Sequence, residues 1–108
     1  MDKKEILSYV RRFVEKRGFK TAPYATFMTT GLPDGPDFAV YKDNHQGIPD
    51  RLGTVTFDKN LVWLEVWLPD GRRGYKYNPH DPNSLPNLVE QIRASWIALR
   101  GIEGRERQ

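Results

Sequence analysis

Two tryptophans, Trp63 and Trp67, lie four residues apart in the longest apolar run of the chain, residues 61–68. If this run is a strand, its period of two places both indoles on one face, roughly 13 Å apart, with Glu65 between them. Indoles stack well on nucleic-acid bases, and they are also enriched at protein interfaces. The run therefore predicts a binding face, unless residues 20–31 or 43–53 fold across it and bury both rings.

Five cations could complete such a face. Arg72, Arg73 and Lys76 lie at and just beyond the next predicted turn, and Arg11 and Arg12 lie on the polar side of the first predicted helix. Arginine forks match pairs of phosphate oxygens, so these cations indicate phosphate contacts. A solvated turn and a solvated helix face would account for the same charges without any ligand.

The residues that could catalyse a reaction are fewer and scattered. His45 has Asp43 and Asp50 nearby, and His80 precedes Asp81, so an acid–base or metal site would form only if two loops met. The chain has no cysteine, which excludes disulfides, thiol nucleophiles and Cys-ligated zinc. We therefore expect a non-catalytic protein without a metal or cofactor, and an enzyme that uses the two histidines remains the third hypothesis.

Length, composition and charge limit the possible domain organisation and location of the protein. A chain of 108 residues with three Trp, five Tyr and five Phe can form a single domain with one core. The net charge of +3 is unevenly distributed, since residues 1–20 carry +4, residues 21–70 carry −4 and residues 71–108 carry +3. No apolar segment approaches the roughly 20 residues that span a bilayer, and the N-terminus does not resemble a secretory signal. We expect a cytoplasmic protein that does not contact membranes.

Helical periodicity predicts two terminal helices. The first covers residues 3–17, with Asp2 as N-cap and Gly18 at its end. The last begins at Asn83 or Ser84 and ends at Gly101. Residues 1–102 would form the single domain, and residues 103–108 a frayed polar tail.

Strand patterns fill the region between the helices. Residues 20–31 fit either a strand at 26–30 or a short helix, of which we favour the strand, and residues 32–36 fit a turn. Residues 38–41 fit a short strand, and residues 43–53 a mobile surface loop. A tight turn at Lys59 and Asn60 predicts a hairpin, and a turn at 69–72 predicts a second one. The predicted cross-strand pairs are Phe57 with Val62, Val55 with Leu64, Leu68 with Arg73, Val66 with Tyr75, Glu65 with Lys76, Leu64 with Tyr77 and Trp63 with Asn78.

These elements predict a two-layer α+β sandwich. An antiparallel sheet of four or five strands lies between an N-terminal and a C-terminal helix, in the order α-β-β-β-β(-β)-α, with both helices on the aliphatic face. The opposite face would carry the tryptophans. The favoured function is a small basic module that binds DNA or RNA through this face and its basic ends, and the alternative is a protein-interaction or inhibitor domain that uses the same face, including as a homodimer.

Overall fold

The computed structural model describes residues 2–23 and 36–106. Its elements are α1 (Lys3–Lys16), β1 (Lys20–Pro23), β2 (Phe38–Asp43), β3 (Pro49–Asp58), β4 (Leu61–Leu68), β5 (Gly71–Tyr77) and α2 (Ser84–Glu106). The strands form one antiparallel sheet in the order β1-β2-β3-β4-β5, and the helices pack on it. The predicted α+β sandwich is confirmed. The strand predicted at 26–30 and most of the turn at 32–36 lie outside the described residues.

The first helix has the predicted ends. The side chain of Asp2 accepts a hydrogen bond from the backbone N–H of Glu5 at 2.9 Å, which satisfies one of the free donors of the first turn. Gly18 follows the C-cap at a φ of 95°, a conformation that favours glycine. Between these ends, the helix buries Ile6, Val10 and Val14.

The β3–β4 hairpin also has the predicted register. Lys59 and Asn60 both adopt positive φ, as a two-residue hairpin turn requires. Val55 lies opposite Leu64, and Phe57 lies opposite Val62. Three of these four side chains are at most 1% exposed, and Phe57 packs against them, so the aliphatic face of the sheet is the core face.

The prediction that residues 43–53 form a surface loop is wrong. β3 begins at Pro49, and only residues 44–48 connect it to β2. The segment lacks alternation because its strand contains a β-bulge: Val40 pairs with Gly53 and Tyr41 with Arg51, which leaves Leu52 as the extra residue. Proline is tolerated at the first position of a strand, so it does not prevent this pairing.

The bulge changes which side chains reach each face. Leu52 is completely buried in the core, whereas Arg51 stacks on Trp67 on the far side of the sheet. Gly53 allows the close approach of β4, because a Cβ added there would lie 2.5 Å from the carbonyl oxygen of Glu65. The buried hydroxyl of Ser95, on α2, hydrogen-bonds to the carbonyl oxygen of Trp67 and lies 3.4 Å from that of Leu52.

The predicted register of the β4–β5 hairpin is wrong by two residues. Leu68 lies opposite Gly71, so the loop has two residues rather than four. The observed pairs are Val62 with Tyr77, Trp63 with Lys76, Leu64 with Tyr75, Glu65 with Gly74, Val66 with Arg73 and Trp67 with Arg72. A shift of two residues keeps each side chain on its predicted face, so Tyr75 and Tyr77 still lie on the core side.

Both helices cover the same face of the sheet. Their buried residues share one cluster with the inner side chains of β2, β3 and β4. The second helix begins near the predicted residue, since the carbonyl of Asn83 accepts the first helical hydrogen bond, from Asn87. Its predicted end at Gly101 is wrong, because α2 continues to Glu106. A glycine costs about 1 kcal/mol inside a helix, which is too little to end one by itself.

Candidate functional site

The observed register gives Trp63 a cation as its direct neighbour. Lys76 lies opposite Trp63 on β5, and its Nζ atom is 4.9 Å from the centre of the indole ring. The indole N–H donates a hydrogen bond to the backbone oxygen of Asp58 at 3.1 Å. This bond fixes the orientation of a ring that is only half-buried.

Trp67 lies between two arginines. Arg72 is its direct partner on β5, at 5.1 Å from the ring centre, and Arg51 on β3 lies 4.6 Å from the same centre. Arg72 also reaches Glu65, on the same face, at 3.3 Å. We call Trp63, Trp67 and the cations at positions 51, 72 and 76 the indole patch. The patch faces away from both helices.

A row of alternating cationic and aromatic residues crosses the sheet at Trp67. Lys20 pairs with Tyr41, Tyr41 pairs with Arg51, Arg51 stacks on Trp67, and Trp67 pairs with Arg72. Residues directly opposite each other in an antiparallel sheet lie on the same face. One residue from each of the five strands therefore forms a continuous band of aromatic rings and positive charge.

The charge at the β1 end of this band is largely balanced. Lys20 donates a 2.6 Å hydrogen bond to Asp43, and this bond together with the attraction of the carboxylate raises the pKa of Lys20. At the other end, Arg72 makes an exposed contact with the carboxylate of Glu65. The charges available to a ligand are thus concentrated on β3 and β5.

Two shallow depressions lie beside Trp63. One, of about 340 Å³, is lined by Thr56, Asp58, Lys59 and Trp63. The other, of about 190 Å³, shares Thr56 and Trp63 and extends to Glu65 and Gly74, which lie opposite each other on β4 and β5. On the same face, Ala39 of β2 and Thr54 of β3 are at most 5% exposed.

The structure brings together four of the seven residues predicted to bind a partner. Trp63, Trp67, Arg72 and Lys76 share the patch. Arg73 lies opposite Val66, hence on the helix side of β5, with its guanidinium 3.8 Å from Asp70. The other two predicted residues, Arg11 and Arg12, also lie outside the indole patch.

Arg11 and Arg12 are on α1, in the other layer of the sandwich. The Nε atom of Arg11 donates to the hydroxyl of Thr21 at 3.1 Å, at the β1 edge of the sheet. Arg12 is exposed. These two cations therefore cannot contact the same short ligand segment as the indole patch.

The two histidines lie at opposite ends of the sheet. His45 is in the β2–β3 turn, whereas His80 follows β5, and in this meander those positions are separated by the length of the strands. β3 has ten residues, so the separation is about 30 Å. The pair cannot form one acid–base site. Within residues 2–23 and 36–106, no three histidine or acidic side chains are grouped as metal ligands would be.

Sequence reasoning missed Arg51 because it assigned that residue to a loop. The available signal was the Asp50-Arg51-Leu52 segment directly before the alternating residues of β3, but alternation alone does not reveal a bulge.

No family model matches this chain, and no curated protein or solved structure shows significant similarity to it. Among the described residues, no helix is long and apolar enough to cross a membrane.

Proposed function

We propose that the protein binds single-stranded nucleic acid through the indole patch. The observation that carries the proposal is that each indole on the open face has a cation within about 5 Å of its ring centre. Bases stack on aromatic rings irrespective of sequence, and neighbouring cations meet the phosphates that join the bases. A surface that repeats this combination suits a polymer that repeats base and phosphate.

The spacing favours a single strand over a duplex. Trp63 and Trp67 are separated by four strand residues, about 13 Å, with Glu65 between them on β4 and Gly74, which has no side chain, opposite Glu65 on β5. A flat surface of this kind can stack only bases that are already separated from a complementary strand. The expected ligand is therefore unpaired DNA or RNA that places one base on each indole.

The cations can bind phosphate while they remain near the rings. A guanidinium stacked on an indole keeps its N–H donors pointing outward in its own plane, so stacking orients the donors without using them. The Arg72–Glu65 contact is at 3.3 Å between half-exposed side chains, and such a pair is worth at most about 1 kcal/mol. Phosphate can therefore displace the carboxylate at little cost.

The proposal does not need the basic residues of α1. Arg11 and Arg12 lie in the helix layer, so they act on a ligand at the patch only through long-range attraction, which salt screens beyond about 10 Å. The proposed binding site therefore excludes Arg11 and Arg12, which the sequence-based prediction included. A nucleic-acid partner agrees with the cytoplasmic location expected from the sequence.

Alanine variants of the tryptophans test the proposal. Loss of one stacked base costs about 1–3 kcal/mol, so Trp67→Ala should weaken binding of a labelled oligothymidylate by roughly five- to 150-fold in fluorescence anisotropy. Tyr9→Ala is the matched control, because Tyr9 is an aromatic residue 49% exposed on α1. Equal affinity of the native chain and Trp67→Ala, with both folded, would refute the proposal.

The second candidate is a protein interface at the same patch. Trp and Arg are the residue types that dominate protein hot spots, and the patch contains two of each. A protein partner or a second copy of the chain should remain bound at moderate salt, whereas phosphate contacts weaken steeply. Sedimentation of the isolated chain at rising concentration tests the homodimer, and a Trp67→Ala variant that stays monomeric would support it.

A further inference from the structure

The larger depression beside Trp63 carries polar side chains that base stacking alone does not use. Its volume is about 340 Å³, and it is lined by Thr56, Asp58, Lys59 and Trp63. Lys76, the cation on the same indole, lies on β5 and does not line this depression. The depression therefore lies on the β3 side of the ring, where a base stacked on Trp63 would meet a different set of side chains.

The β3–β4 hairpin brings these side chains to one place. Thr56 lies directly opposite Trp63. Asp58 is two residues further along β3, hence on the same face and about 7 Å nearer the turn. Lys59 follows as the first residue of the tight turn, with a φ of 52°. The regular hairpin thus fixes the backbone of this wall before a ligand arrives, which lowers the entropic cost of binding.

The polar groups of the wall are accessible to a ligand. The indole N–H of Trp63 donates to the backbone oxygen of Asp58, so this bond does not use the carboxylate. Among residues 2–23 and 36–106, neither the hydroxyl of Thr56 nor the ammonium of Lys59 has a hydrogen-bond or ion-pair partner. Asp58 and Lys59 are both exposed.

The carboxylate determines which part of a nucleotide can occupy the depression. Like charges repel, so Asp58 disfavours a phosphate there, and the uncharged base is the better occupant. A carboxylate only accepts hydrogen bonds, whereas the ammonium of Lys59 only donates them. The depression therefore suits a base whose edge presents donors to the carboxylate and an acceptor to the lysine.

We propose that the base stacked on Trp63 is preferentially guanine, an inference that rests on the proposed function of the indole patch. The Watson–Crick edge of guanine carries two adjacent donors, N1–H and the N2 amino group, beside the acceptor O6. The two oxygens of Asp58 accept from both donors, and Lys59 donates to O6. Adenine and cytosine would place an unprotonated ring nitrogen against the carboxylate, and thymine and uracil offer one donor between two acceptors.

Labelled oligothymidylates of equal length with one central guanine, adenine or hypoxanthine test the inference by fluorescence anisotropy. The guanine strand should bind about fivefold tighter or more than the adenine strand, which controls for the stronger stacking of purines. Hypoxanthine keeps N1–H and O6 but lacks the N2 amino group, so its strand should lose most of that preference.

A substitution of the carboxylate assigns the preference to this depression. Asp58→Asn replaces one acceptor by a donor, so it should abolish the preference for guanine over adenine. Asp70→Asn is the matched control, because Asp70 is an exposed carboxylate in the β4–β5 turn, contacts Arg73 and does not line the depression. The control variant should keep the native preference.

Equal affinity of the native chain for the guanine and adenine strands would overturn the inference. The same guanine preference in Asp58→Asn, checked for a folded spectrum, would also overturn it. Both results leave the proposed function intact if oligothymidylate binds and Trp67→Ala weakens that binding. Failure of every strand to bind would overturn the proposed function and this inference together.

Discussion

The salt dependence of nucleic-acid binding can be calculated from the charges of the indole patch. In the proposed complex, Arg51, Arg72 and Lys76 each contact one phosphate. Each phosphate neutralised on a single strand contributes about −0.7 to the slope of log affinity against log salt, so three contacts give about −2.1. An increase from about 50 to 200 mM salt should then weaken binding about 18-fold.

Removing one cation should make the slope less negative by about 0.7. In Arg72→Gln two phosphate contacts remain, the slope becomes about −1.4, and the same salt increase weakens binding only about sevenfold. Trp67→Ala should behave differently, because stacking releases no counterions: affinity falls at every salt concentration, and the slope stays near its native value. The two substitutions thus distinguish the phosphate contacts from base stacking.

The assay is fluorescence anisotropy of a labelled oligothymidylate over a salt series, with Arg93→Gln as the control for a lost surface charge. Arg93 lies in the helix layer, so its removal should leave the slope unchanged. A native slope near zero would exclude phosphate contacts. Equal slopes in Arg72→Gln and Arg93→Gln would show that the attraction is general and that the patch is not the site.

Three further predictions concern stability and titration. Ser95→Ala should lower the free energy of unfolding by about 1–3 kcal/mol in urea denaturation, because it removes the buried hydroxyl that donates to the carbonyl oxygen of Trp67; a loss below about 0.5 kcal/mol would contradict this. Gly53→Ala should cost about 1–3 kcal/mol, since the new Cβ would meet a backbone oxygen at 2.5 Å, whereas Gly74→Ala should cost less because its nearest atom is 4.0 Å away; equal losses would refute the contact argument. Burial, and secondarily Tyr75, raises the pKa of Tyr77, so the unfolded chain releases this proton first and stability is lost as pH rises through and above the ordinary tyrosine range; Tyr77→Phe should flatten that loss in alkaline denaturation curves.

The sequence was sufficient to predict the structure wherever only one arrangement of the backbone fits the side-chain pattern. Asp2 and Gly18 marked the ends of α1 because each satisfies a backbone requirement that few residues meet. The register of β3 and β4 followed because any shift by one residue would have turned Val55 and Val62 away from the core. In these cases local preference and burial required the same arrangement.

The β4–β5 register failed because two arrangements bury the same side chains. Loops of two and of four residues differ by a shift of two, and both keep Tyr75 and Tyr77 on the helix side. Alternation therefore could not choose between them, and only the geometry of the turn at Gly71 does. The shorter loop also changes the candidate site, because it places Arg72 and Lys76, rather than Gly74 and Asn78, opposite the tryptophans.

The bulge at Leu52 links the core to the indole patch. Without an extra residue, strict alternation from Val55 would place Leu52 on the open face and Arg51 among the helices. Burying a leucine there is favourable by about 2 kcal/mol, and burying an unpaired guanidinium would cost far more, so core packing favours the bulged strand. The same bulge places the guanidinium of Arg51 against the ring of Trp67. The shortest cation–aromatic contact of the candidate site thus results from packing of the core, which explains why no local pattern of charges and aromatics could reveal it.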